Sequence, residues 1–112
     1  MSKIDFNALR DRAYKCACEH GFHGTELSNG HLLMLVITEL SEAVEADRKG
    51  KYFKGISTFE REFNRYYALV DENKCFERAF EKYVKDTVPD EMADAVILLL
   101  DLAGSIDISL DD

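Results

Sequence analysis

A single proline, Pro89, occurs among the 112 residues, so long stretches are free to be helical. Basic residues are also short: 14 Lys and Arg stand against 22 Asp and Glu, a formal charge of −8. That sign repels a nucleic-acid backbone and excludes a binder that works through a basic footprint. It repels a nucleotide as well, unless something reverses the charge locally. No apolar run approaches the roughly 20 residues of a membrane span. Met1-Ser2-Lys3-Ile4-Asp5 lacks the basic-then-apolar order of a signal peptide. Three cysteines, Cys16, Cys18 and Cys75, cannot all pair within one chain, which favours a reducing compartment. The expected setting is cytoplasmic, with no membrane and no nucleic-acid polymer as partner.

What is present is ordinary for a globular chain. Hydrophobic residues make up 46% and charged residues 32%, too apolar a balance for disorder. One domain with one modest core is expected at this length. Apolar spacing predicts four helical stretches. The first spans Asp5 to His20, with Phe6, Leu9, Ala13 and Ala17 in register and Gly21 and Gly24 as a stop. Ser28 is the expected N-cap of the second, which runs to Ala46 and ends near Gly50. After Gly55 and Ser57 comes a charged, aromatic segment. In it Phe59, Phe63 and Tyr66/Tyr67, then Phe76, Phe80 and Tyr83, keep helical spacing on either side of a turn at Asp71-Glu72-Asn73. Pro89 falls in the first turn of a last helix that stops near Gly104. No segment alternates like a strand, so the expected class is all-α.

Two of these helices carry acids in apolar surroundings. Residues 32–37 are apolar without a break, which predicts burial on every side at that level. The next turn brings Glu39 and Glu42, whose three-residue spacing places them on one face, in line with Leu32 and Leu35. The last helix repeats the pattern. From Ala93 to Ala103 its only non-apolar residues are Asp94 and Asp101, two turns apart, and Glu91 precedes Asp94 by three. Acids are rarely buried unpaired, and this helix has no Lys or Arg to pair with them. A bound cation answers the problem. Glu39, Glu42, Glu91 and Asp94 offer only hard oxygen ligands, which suit Mg²⁺ or Mn²⁺ better than zinc. A single ExxE is usually a solvated helix face; its pairing with an ExxD in an apolar helix favours a site.

Glu39-Leu40-Ser41-Glu42 followed by Glu91-Met92-Ala93-Asp94 resembles the ExxE…ExxD signature of the MazG-like, all-α nucleoside triphosphate pyrophosphohydrolases. The surrounding residues 28–50 and 86–104 are similar to that family's two metal helices. The resemblance implies a four- to five-helix MazG-like bundle completed by oligomerisation, as a homodimer or homotetramer. It also implies Mg²⁺-dependent cleavage of a (d)NTP to the monophosphate and pyrophosphate. By position, Glu39, Glu42, Glu91 and Asp94 become metal ligands, and Asp101 becomes a group supporting them or touching the nucleotide. The sequence departs from the stricter motif at Thr38, where an acid would precede Glu39. The stretch 43–90 is longer than in compact members, and the basic segment that often follows the second metal helix has no counterpart before Asp112.

The implied chemistry is attack of water on the α-phosphorus, with Glu42 as general base. Arg48, Lys49, Lys51 and Lys54 follow the first acid helix and either anchor phosphates or complement the helix dipole. Lys51 and Lys54 are the expected phosphate contacts. The loop Gly21-Phe22-His23-Gly24-Thr25, with His23, is the candidate for the base; its plain alternative is a glycine-rich connection. Other metal readings fit less well. A di-iron bundle needs Glu-x-x-His, and none of His20, His23 and His31 follows a Glu by three. Cys16 and His20 lie one turn apart, but Cys16 and Cys18 cannot share a helix face, so these thiols are expected in or near a core. The non-enzymatic alternative is an acidic helical interaction module, in which the central aromatics face a partner.

Overall fold

The computed structural model describes residues 3–53, 55–67 and 71–112. Those residues form five α-helices and no strands: α1 (Phe6–Glu19), α2 (Asn29–Arg48), α3 (Ile56–Tyr67), α4 (Glu72–Tyr83) and α5 (Val88–Ser105). The fold is all-α. The central aromatic segment is two helices, giving five in place of the four stretches expected from spacing. The chain divides into two compact units, Met1–Glu39 with Ala93–Asp112, and Leu40–Met92. Both unit boundaries fall inside helices, one in α2 and one in α5.

Helix starts follow local chemistry. Asp5 caps α1, its carboxylate accepting from the Ala8 N–H at 2.9 Å. The Phe6 and Asn7 N–H groups, which have no partner within the helix, donate to the Asp111 carboxylate at 3.2 Å each. Ser28 Oγ accepts from the His31 N–H at 3.1 Å at the start of α2. Asp71 does the same for α4 through the Lys74 N–H at 3.0 Å. Pro89 is the second residue of α5, where its missing N–H costs nothing. Gly50 follows α2 with a φ of +67°, a conformation that glycine adopts without strain.

Within the first unit, α1 packs closely on α5. A Cβ added at Gly104 would stand 2.7 Å from Tyr14 Cβ, so only glycine admits this approach. In the second unit, the Lys51 carbonyl accepts from the Val88 N–H at 2.9 Å and ties the end of α2 to the start of α5. The α3–α4 hairpin buries Cys75 and Ala79 completely. Phe59 meets Phe76 edge-on with centroids 5.5 Å apart.

Two expectations about burial are corrected. Helix α2 is not buried all round: Leu32 and Val36 are in the core, whereas Leu33, Met34 and Ile37 are each about half exposed or more, at 46%, 58% and 51%. The chain covers one stripe of α2 and leaves the other to solvent. Cys16 and Cys18 are exposed, and only Cys75 lies in a core. Both exposed thiols sit towards the C-terminal end of α1, beyond the close approach that Arg10 and Tyr14 make to Gly104.

Candidate metal centre

The acids of the two motifs occupy graded environments. Glu39 continues the buried α2 stripe of Leu32, Val36, Ala43 and Ala46 at three- and four-residue steps, and is itself half-buried. Glu42, one turn on, is exposed. On α5, Glu91 is buried at 5% exposure and Asp94 is half-buried.

In the first unit, Glu39 and Asp94 each place a carboxylate oxygen within 4.8 Å of the other. Glu91 precedes Asp94 by three residues on α5. In the second unit, Asp86, Asp90 and Glu91 form a group of the same tightness. There Asp86 adopts a φ of +62°, and its N–H donates to Asp90 Oδ2 at 2.9 Å. Carboxylates this close repel unless a proton or a cation is shared between them. Oxygens bound to one Mg²⁺ at about 2.0–2.1 Å lie up to roughly 4.2 Å apart, close to the spacing within which Glu39 and Asp94 approach. The donors are all carboxylate oxygens, a set for a hard divalent cation.

Glu42 belongs to neither close group. It lines a cleft of about 290 Å³ together with Glu45, Ala46, Lys49, Lys51, Asp86 and Glu91. Of the basic cluster at the end of α2, Lys49 and Lys51 line this cleft; Arg48 and Lys49 lie 3.8 and 3.6 Å from Glu45. Lys54 lies outside the described residues, as do the side chains of Tyr66 and Tyr67.

Asp101 is among the most buried polar residues, at 3% exposure, and its Oδ1 lies 2.8 Å from His23 Nε2. His23 therefore supplies the partner that α5 itself lacks. Tyr14 and Phe22 hold the imidazole edge-on, each with centroids 5.2 Å away. A hydrogen bond with Cys18 pushes the Tyr14 hydroxyl above its ordinary range.

The acids that spacing did not single out are Asp86 and Asp90. Asp90 precedes Glu91 directly, but Asp86 sits before α5 begins, so no helical wheel aligns it. Its left-handed backbone turns it towards Asp90. No protein-family model, curated protein or solved structure matches the chain.

Proposed function

We propose that the chain is a Mg²⁺-dependent nucleoside triphosphate pyrophosphohydrolase of MazG-like type, cleaving a (d)NTP to (d)NMP and pyrophosphate. The observation that carries this reading is the approach of Glu39 to Asp94, with Glu91 one turn before it on the same helix. It brings together acids from both motifs, which lie more than 50 residues apart in the sequence. By the two motifs, Glu39, Glu42, Glu91 and Asp94 are the proposed ligands of Mg²⁺ or Mn²⁺, although Glu42 lies outside both close groups. When bound, the ion lowers the pKa of its water and offsets charge on the phosphates. Glu42, exposed on the cleft, would accept a proton from attacking water. Lys49 and Lys51 on the same cleft supply positive charge for the pyrophosphate. Asp101 and His23 belong to the nucleotide end of the site.

The test is a pyrophosphate-release screen over natural and modified (d)NTPs with Mg²⁺. Release from at least one nucleotide, lost in Glu42→Gln and Asp94→Asn, is expected. A folded wild type that cleaves none of them overturns the enzyme reading. Thermal stabilisation by millimolar Mg²⁺ or Mn²⁺ separates it from an interaction module, which gains nothing from either ion.

Self-association accompanies this reading. Leu33, Ile37, Leu40 and Val44 on α2 are half exposed at alternating four- and three-residue steps, as are Met92, Val96 and Leu99 on α5. Such seams suit helix packing between copies, as a homodimer or homotetramer. Light scattering on the purified chain tests it, and a monomer at micromolar concentration rules it out.

A further inference from the structure

We propose that Cys16 is a thiol–disulfide exchange site that takes up a small anionic disulfide, such as glutathione disulfide, as a mixed disulfide. Cys16 is exposed and lines a cleft of about 510 Å³ in the first unit. That volume is in the range of small-molecule sites. Leu9 and Ala13 on α1 and Ile97 and Leu100 on α5 are its apolar residues, and Arg12, Lys15 and Glu19 its charged ones. Lys15 lies 3.9 Å from Glu19, which offsets its charge. Arg12, one turn before Cys16 on the same face of α1, has no ion-pair partner among the described residues. Its charge is left to attract an anion arriving at the cleft.

His20 is set against the same thiol. Its Nδ1 lies 2.8 Å from the Cys16 carbonyl oxygen and 3.7 Å from Cys16 Sγ. A carbonyl oxygen only accepts, so Nδ1 carries the proton, and that N–H is also the donor nearest the sulfur. The C-terminal end of a helix by itself disfavours a thiolate; the His20 N–H and the Arg12 guanidinium act against that. Cys18 is exposed too, but it is not among the residues of this cleft and shares a hydrogen bond with Tyr14. Cys75 is wholly buried. In the exchange, the Cys16 thiolate attacks one sulfur of the disulfide, and a new S–S bond forms as the old one breaks. The other half leaves as a thiolate and takes up the proton that Cys16 released. Cys16 is oxidised and the departing half is reduced, so no further oxidant is needed.

The decisive experiment exposes the reduced, folded chain to glutathione disulfide, quenches with acid and maps each cysteine by peptide mass spectrometry. Cys16 is expected to be modified about fivefold faster than Cys18 at low salt. Cys75 stays free and reports that the fold is intact. With cystamine, a cationic disulfide, the ratio of Cys16 to Cys18 is expected to fall towards one; because both thiols meet the same reagent, its intrinsic reactivity cancels. Arg12→Gln brings the ratio with glutathione disulfide down to that with cystamine, and His20→Ala lowers the ratio with both reagents. A ratio near one with glutathione disulfide, a ratio that cystamine leaves unchanged, or one that survives Arg12→Gln overturns the proposal. So does modification of Cys75 at the rate of Cys16, since the reaction then runs through the unfolded chain.

Discussion

The α3–α4 hairpin and α5 set their acids in different company. Glu62 on α3 is nearly buried, and its Oε1 accepts from the Tyr83 hydroxyl at 2.8 Å and from Lys82 Nζ at 3.4 Å. The Tyr83 hydrogen bond, helped by Lys82 and Arg65 against the opposing effect of burial, holds the Glu62 carboxyl below its ordinary range. On α5, by contrast, Asp94 lies close to the carboxylate of Glu39. Two turns further on, Asp101 returns to the first pattern with His23. An acid set against donors strengthens its own fold. A carboxylate within reach of a second carboxylate offers hard oxygens that one cation can share.

That contrast breaks most visibly at Asp94. Asp94→Asn is expected to lower pyrophosphate release by roughly a hundredfold or more, and to remove most of the thermal stabilisation that added Mg²⁺ gives the wild type. A clear loss of metal-free stability would place Asp94 with Glu62 as a structural acid. Gly104→Ala tests how tightly α5 is held on its other side. The new Cβ meets Tyr14 Cβ at 2.7 Å, and urea unfolding is expected to show a cost of about 1–3 kcal/mol. Gly30→Ala, where the nearest atom is Ser28 Oγ at 3.9 Å, is expected to cost nothing.

The hairpin side is sharpened by pH. Because the folded Glu62 carboxyl is held low, its contribution is present above the unfolded value of about 4.3 and is lost as pH falls through the folded value. Wild type should therefore lose stability over that acid range more steeply than Glu62→Gln, measured as melting temperature against pH. Pyrophosphate release at neutral pH should be indifferent to Glu62→Gln. The smallest effect belongs to the cap: Asp71→Ala removes the bond to the Lys74 N–H and is expected to cost about 1 kcal/mol in chemical denaturation.

Much of the fold is legible in the residues alone. Ser28 marks a helix start because a short polar side chain there bonds the N–H three residues on, a purely local event, and Asp5 and Asp71 act in the same way. The division of the aromatic segment is half visible, since Asp71-Glu72-Asn73 reads as a turn and proves to be the start of α4. Burial of α2 is not legible, because an unbroken apolar run says nothing about how many neighbours exist to cover it. The candidate acids Glu39, Glu91 and Asp94 are legible, because helical periodicity sets each on a definite face of its own helix. Asp86 is not, because its position depends on a left-handed residue in the α4–α5 turn.

By itself the sequence determined an all-helical chain and the faces on which its acids ride, since both follow from bonds and periodicities spanning a few residues. Tertiary structure alone decided what each acid meets. His23 reaches Asp101 across 78 residues, and Tyr83 reaches Glu62 across 21. No local rule chooses among the donors available at such separations. Packing does, because a carboxylate removed from water is stable only beside whatever group the fold delivers to it.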